Sequence, residues 1–574
     1  MKTYKKKIHL ILFICFCISL NKQSLGSHIV GSEIYYSCTA TPGIYKVTVK
    51  LYRDCAGVQL CANCPSGLSA ACSIPIIIKG ASGPCMGTNY GTQPILVVSN
   101  KSAFDIVQLC NSVNTLCSNC GTRTPGSFSP GVELYTFEGA VNLNSVPVAC
   151  CQVSIGFNTC CRNTAIVELA NASTLNYYSE AIINTCSAPC NSSPVFKTPI
   201  EFVLCAGQDA NLSMAADDPD GDSLSFEFGA SLIAAGTSAL YVSPYSPIVP
   251  MPYLGAPVQS PPAMPPVGIN INKITGDAFF RPLGYFVAPL VVEVKQWRTT
   301  DGVRTLRGSN RRDLMVYSIN CPVNSPLIIK KLDTSGLFLN YFTYNPYNYD
   351  SAWICPGQRY CRIFVAEDSD TNTSTDLSLF LPDNIQGVQV ERLYDTLLRS
   401  GMGPRQDSIK FCWTPPDNSG RNAPYIFTLM ARDRNCTVPS KFSHSMAIYV
   451  NRPIHAFINK IGDPSGYRFR FTYTKTYPVP QDTSLTMWQI ESAPGSDSFV
   501  VFTNNEIASY QFHEIGYHKI KLTLFGHKCG YVTMLTDSVY ATAGDGLSEP
   551  VNILNAFEIY PNPSSGSVKI NAIK

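Results

Sequence analysis

The sequence predicts an all-β chain, several β-sandwich modules in tandem after a disulfide-rich N-terminal β domain. Three observations predict it. In "IYKVTVKLYRDC", Tyr45, Val47, Val49 and Leu51 alternate with Lys46, Thr48 and Lys50. That period of two places one face of a pleated strand in a core. The same period returns in "APLVVEVKQW", "YRFRFTYTKTY" and "HKIKLTLFG", while sustained helical periodicity is missing. Finally, a long motif occurs twice in the middle of the chain. A length of 574 residues calls for roughly three to five such domains.

The N-terminus reads as an export signal. Lys2, Lys5, Lys6 and Lys7 precede an apolar run from Ile8 to Leu20, too short to span a membrane comfortably. Small Ser24 and Gly26 suit cleavage before Ser27, so residues 1–26 are assigned to a signal peptide. Cys15 and Cys17 lie inside the apolar run and do not form a lipoprotein motif. Ile29-Val30-Gly31 has the form of an activated chymotrypsin-like protease terminus. That chemistry needs a base histidine, and none stands between His28 and His444. The protease is excluded.

Without Cys15 and Cys17, the 24 cysteines leave 22, an even number in an exported chain. Sixteen fall between Cys38 and Cys205, which defines a cysteine-rich β domain over 27–200. Export favours disulfides over zinc or a redox dithiol. This applies to Cys61/Cys64 and Cys117/Cys120, which form CxxC pairs, and to the doublets Cys150-Cys151 and Cys160-Cys161. Cys38, Cys55, Cys205, Cys321, Cys355 and Cys436 are further candidates; spacing does not give the connectivity.

The repeat spans 201–322 and 323–452. Aligning Cys205 with Cys355 places Gly207 on Gly357, Gln208 on Gln358, Asp218 on Asp368 and Asp220 on Asp370 without a gap. Each copy continues into an aromatic-proline strand and an aliphatic strand, as tandem sandwich domains do. The first copy carries a proline-rich insertion, Pro244 to Pro266, expected to be an extended surface loop. Residues 453–545 form a third unit of different cadence, 546–554 a linker and 555–574 a closing segment.

Few motifs carry chemistry. Asp218, Asp220 and Asp222 stand at alternate positions of a tight turn, and Asp368, Asp370 and Asn372 repeat them. Alternate oxygens on a turn can converge on a hard cation, so calcium is the expected ligand, with an Asx-rich turn as the plain reading. His513 and His518 in "HEIGYH" are five apart, which would set them roughly 140° apart on a helix, so a zinc protease pair is not expected. No carboxylate pair stands out and no catalytic residue is assigned. Charged residues make up 14% with a net charge of +3, and no basic stripe points to nucleic acid.

Two stretches carry a resemblance. "HIVGSEIYYSC" followed by "YKVTVKLYRDC" resembles the opening of large surface and gliding-motility-associated proteins of the Bacteroidetes, with Ser32 where that family has a second glycine. The family's next module is matched by Asp218 to Leu224, Thr275 to Pro282, Val294 to Gly302 and "RRDLMVYSINC". The resemblance implies Ig- or cadherin-like domains for 201–322 and 323–452, and residues 453–545 resemble a PKD domain, an Ig-like sandwich. Tyr560, Pro561, Asn562, Pro563 and Gly566 resemble the start of a type A sorting domain of the type IX secretion system. Only its first strand precedes Lys574, so the chain is expected to be shortened there. The expectation is a secreted, non-enzymatic adhesion or envelope structural protein of the outer cell surface. Its expected partners are the secretion machinery and a surface polysaccharide or another surface protein. A glycan-binding accessory protein using Trp297 or Trp488, or a secreted hydrolase, is the alternative.

Overall fold

A computed structural model describes residues 29–55, 57, 60, 62–63, 67–68, 72–99, 117, 131–186, 190–256, 258, 260, 267–300, 303–322, 324–341, 349–368, 370, 375–393, 407–433, 438–451, 456–464, 466–475, 485–526, 529, 532–542, 557–560 and 569–572. Among these the chain is built from strands, with no α-helix. The signal segment, Cys61, Cys64, Cys120, Asn372, Cys436, Pro561, Asn562, Pro563 and Gly566 lie outside the described residues.

The N-terminal domain is one sheet rolled on itself. Its strands are β1 (Ile29–Cys38), β2 (Ile44–Asp54), β3 (Ser73–Gly80), β4 (Asn89–Ser99), β5 (Val132–Asn142), β6 (Gln152–Cys160) and β7 (Asn176–Asn184). They pair antiparallel in the order β1-β2-β5-β4-β3-β6-β7. The alternating residues meet inside: Val47, Val49, Ile76, Ile78, Phe137 and Ile155 are all buried.

The first sandwich module comprises β8 (Val203–Cys205), β9 (Ala210–Ser213), β10 (Ser223–Phe228), β11 (Asp277–Phe280), β12 (Phe286–Thr300) and β13 (Val303–Ile319). One sheet runs β10-β12-β13, with β8 parallel to β13, and the other holds β9 and β11. Strand β13 reaches beyond its module. Strand β12 occupies one of its edges throughout. The other edge takes β7 at Gly308–Ser309, β1 at Arg312–Leu314 and β8 at Tyr317–Ile319. The two outer strands of the roll therefore close on a strand of the next module. Sheet and core are continuous across residue 200, with Val30, Tyr35 and Tyr52 packed among Phe226, Leu290 and Val316. That pairing covers part of each outer strand of the roll and shortens the ladder open to another chain.

Close approach at that joint sets residue identity. A Cβ on Gly308 would lie 2.4 Å from both the Ile182 carbonyl oxygen and the Tyr36 hydroxyl, and one on Gly31 3.0 Å from the Asp313 carbonyl.

The second module repeats the first. Its strands are β14 (Ile328–Leu332), β15 (Asp350–Ile354), β16 (Tyr360–Glu367), β17 (Thr375–Phe380), β18 (Asp407–Trp413), β19 (Tyr425–Asp433) and β20 (Lys441–Val450). One sheet runs β17-β19-β20-β15 with β15 parallel to β20; the facing sheet contains β14-β16-β18. This pairing matches β10-β12-β13-β8 and β9-β11 strand for strand. The third unit is a two-sheet sandwich around Trp488, Phe471, Ile520 and Leu522. Its sheets are β21 (Ala456–Gly462), β22 (Arg468–Lys475) and β25 (Ala508–Gln511), facing β24 (Phe499–Thr503), β23 (Leu485–Glu491), β26 (Gly516–Phe525) and β27 (Val532–Ala541). The closing segment forms a hairpin, Phe557–Tyr560 with Lys569–Ala572.

The proline-rich insertion is more than a surface loop. Val249, Met251 and Tyr253 are buried in the first module's core, and Leu254 N–H donates to the Arg281 carbonyl at 2.8 Å. Apolar side chains between the prolines anchor it.

Candidate functional site: the junction of the two repeated modules

The aspartate turn lies where the repeated modules meet. Gly221 holds φ +76°, a conformation glycine adopts without steric cost. The turn closes by Gly221 N–H donating to the Asp218 carbonyl at 3.1 Å. Asp218 Oδ1 accepts the Asp220 and Asp222 amides, each at 3.0 Å. Asp220 Oδ2 accepts the Ser192 amide at 2.6 Å. Asp222 is paired with Arg298, whose Nη2 lies 2.9 Å from Oδ2. The Gln296 amide N–H donates to Asp218 Oδ2 at 2.8 Å and to the Ser192 carbonyl at 2.9 Å, while its oxygen accepts from the Tyr36 hydroxyl at 2.8 Å. The turn thus latches the segment entering the module to β12 and β1.

The second copy repeats the latch. Asp368 Oδ1 accepts the Asp370 amide at 2.9 Å, and Asp370 accepts the Ser325 amide at 3.0 Å and hydroxyl at 2.7 Å. Ser325 leads into its module as Ser192 leads into the first.

In the first turn the carboxylates face backbone amides, the Gln296 amide and the Arg298 guanidinium, and these donors would compete with a bound calcium ion. The donor set does not fit a resident calcium ion. Among the described residues no three His, Cys, Asp or Glu side chains are grouped to hold a metal. Burial pushes the Asp218 carboxyl up to about 8, with Asp222 and Asp220 adding to the shift against two amide donors. Burial also raises Asp222, opposed by Arg298.

Beyond the turn, the two modules share a buried polar seam. Ser445 of β20 donates to Asp277 of β11 from its amide at 2.8 Å and its hydroxyl at 2.7 Å. The Ser443 hydroxyl donates to the Asn211 carbonyl at 2.8 Å. Lys441 and Glu201 stand 3.8 Å apart, both nearly buried. The small β9-β11 sheet is therefore covered on both faces.

At the rim of the seam, Arg421 of the second module meets Asp217 of the first. Its guanidinium lies 3.6 Å from the Tyr425 ring centroid and 3.5 Å from Asp217 Oδ1, and donates to the Pro424 carbonyl at 3.0 Å. Asp217 Oδ2 accepts the Asp383 amide at 3.0 Å. One cavity of about 300 Å³ opens beside Arg421, lined by Ser223, Thr299, Asn422 and Tyr449. A second of about 250 Å³ is lined by Asn384, Gln386, Ser419 and Tyr425. Both share Asp217, Asp218 and Arg421.

The aromatic candidates fare differently. Trp297 is half-buried, its indole N–H donating to Ser225 at 2.8 Å and its face carrying the Arg304 guanidinium at 4.5 Å. Trp488 is fully buried, its indole N–H donating to the Asn505 carbonyl at 3.1 Å. It is a core residue and offers no surface platform, because its face of β23 packs on Phe471 and Tyr473. His518 is likewise buried, its ring nitrogens at 2.9 Å and 3.0 Å from the Glu491 and Glu514 carbonyls.

Bridges among the described cysteines include Cys38–Cys190, Cys55–Cys117, Cys85–Cys150, Cys151–Cys186, Cys160–Cys161, Cys205–Cys321, Cys355–Cys529 and Cys361–Cys412. Cys117 thus pairs with distant Cys55 and not within its CxxC motif. Tyr560 ends the first strand of the closing hairpin, opposite Lys569.

Sequence reasoning did not find Asp217, Gln296 or Arg421. Their partners lie in other strands or in the other module, and no local pattern marks them.

No family profile and no curated protein matches the chain. Among solved structures, titin domains A168–A170 align at 8% identity, covering 61% of this chain and 99% of that one, with a TM-score of 0.21. The ectodomain of mouse nectin-like molecule 4 (Ig1–Ig3) aligns at 9% identity with the same coverages and a TM-score of 0.21. Chicken CNTN1 FN1–FN3 aligns at 8% identity, covering 61% and 99%, with a TM-score of 0.14. At such scores the pairs do not superpose as wholes, and they carry no argument about this chain.

Proposed function

We propose that the chain is a secreted, non-enzymatic adhesion or envelope structural protein of the outer cell surface, exported by the type IX secretion system. One observation carries the extracellular reading: bridges tie together the roll, each repeated module and the junction to the third unit. Such bridging persists in an oxidising compartment. Tandem sandwich modules suit a spacer that presents a binding face away from the cell. Export by the type IX route rests on the resemblance of the stretch around Tyr560 to a sorting domain.

Two measurements test this. Intact mass of protein recovered from cells and medium, alkylated without reduction, should give a species beginning near Ser27, without alkylated thiols and lacking residues from about Asn555. A species retaining Lys574 with many alkylated cysteines would overturn both export and disulfide assignments. Deletion of the gene should weaken cell attachment to surfaces, and unchanged attachment would remove the adhesion role.

A further inference from the structure

We propose that the two cavities flanking Arg421 form one cleft that binds a short neutral glycan, an inference that rests on the adhesion reading and gives it a ligand class. Ligand sites favour domain interfaces, and this cleft has one wall from each repeated module. Its two parts, about 300 and about 250 Å³, suit a few sugar rings and not a folded partner.

The chemistry of the walls selects the class. Asp217 is met by Arg421, Asp222 by Arg298 and Asp383 by Lys197. Asp218 is held by two backbone amides and Gln296. The Arg304 guanidinium stacks on Trp297. A charged ligand would have to compete with these pairings, at the cost of leaving a half-buried charge unmatched. What the walls offer instead is hydroxyl and amide groups, at Ser223 and Thr299 on one side and Asn384, Gln386 and Ser419 on the other. Apolar surface from Leu224, Ile426 and Tyr449 lies among them. Hydroxyl-rich rings with apolar faces satisfy both kinds of wall. Trp297 stands directly opposite Ser223 in the β10–β12 register.

The test uses the full secreted chain and titration calorimetry against neutral hexasaccharides of glucan, mannan and xylan type, with polygalacturonate and alginate as acidic probes. Binding of at least one neutral oligosaccharide is expected. It should fall at least roughly tenfold in the plugging variants Asn422→Trp and Gln386→Trp, and stay unchanged in Val148→Trp, an exposed position in the roll. If a plug lowers the melting temperature, the small variants Ser223→Ala and Thr299→Ala replace it and should weaken binding without unfolding. Absence of neutral binding, preference for the acidic probes, or full binding by every cleft variant overturns the proposal. Beads coated with the chain separate the two readings. If wild-type and cleft variants attach to cells equally, adhesion stands and the cleft falls; if neither attaches, adhesion itself falls.

Discussion

Glu33 and Arg312 show how single residues hold the first domain to the second. Glu33 is 1% and Arg312 2% exposed, and their charges meet at 2.6 Å. Arg312 also donates to the Thr198 carbonyl at 3.0 Å and lies over the Phe196 ring. Beside them, Arg162 and Asp313 form a second buried pair at 2.9 Å. Two consecutive residues of β13 thus each anchor a charge from the roll. Removing one member of a buried pair strands the other and costs about 3–5 kcal/mol. Glu33→Gln should therefore lower the denaturation midpoint sharply, whereas Glu33→Met combined with Arg312→Met should recover much of the loss. A single variant as stable as the wild type would show that the pair does not close the roll. Gly308→Ala tests the same joint sterically. Its Cβ would meet a backbone oxygen that cannot move aside without separating β7 from β13, so a marked drop in melting temperature is expected. Ser32 is fully buried and shares a 2.8 Å hydrogen bond with Tyr177, so its hydroxyl is satisfied.

At the scale of elements, the aspartate turn acts as a latch whose strength follows pH. The Asp218 carboxyl keeps its proton up to about 8 in the fold, whereas an unfolded aspartate releases it near pH ~4. Between those values the folded state binds more protons than the unfolded one, so stability falls as pH rises through this window. Asp218→Asn keeps an oxygen for the two turn amides and removes the titration. Its loss of melting temperature between about pH 5 and about pH 8 should be smaller than that of the wild type; an equal loss would mean Asp218 is ionised in the fold. Calcium should not raise the melting temperature over that in chelator, since an ion binding only the folded state would do so and the carboxylates are already engaged. The turn's sequence spacing was legible, and so was its recurrence, because Cys205/Cys355 and the aspartates keep one offset. The carboxylates' partners were not legible. Arg298, Gln296 and Ser192 come from a remote strand and an incoming segment, and aspartates aimed at arginine have the same spacing as aspartates aimed at a cation. The join at residue 200 was hidden for a similar reason: β13 reads as one long strand, but nothing in it says which strands will take its free edge. Burial of Trp488 depends on which face of β23 turns inward, and the short run "LTMWQIES" leaves that open.

In the whole molecule, each joint between consecutive units is closed by a different device. The roll and first module share β13. The first and second modules share the Asp277–Ser445 seam, in which Asp277 is raised by burial against hydrogen bonds from Ser445. The second and third units are joined by a covalent bond. In the first repeat, Cys205 bridges to Cys321 just past the end of its own β13. The second repeat has no cysteine at the matching place, and the equivalent Cys355 reaches Cys529 of the third unit, 174 residues away. Asn451, at the end of β20, reinforces that joint, its amide N–H donating to the Ile354 carbonyl at 2.9 Å and its side chain to Cys529 Sγ at 3.3 Å. One cysteine position in a repeated module has thus served two purposes, closing a module in one copy and bonding it to the following unit in the next. Replacing Cys355 and Cys529 together by serine should enlarge the radius of gyration and maximum dimension in solution scattering, with module melting little changed. Replacing Cys205 and Cys321 should do the reverse, lowering the first module's stability while preserving the envelope. If the first pair of replacements leaves the scattering profile unchanged, non-covalent contacts alone hold the third unit, and the bridge only stabilises what they have already fixed. If it enlarges the profile, the disulfide is what makes a rigid spacer of separate sandwiches, and stiffness then depends on the redox state of the medium.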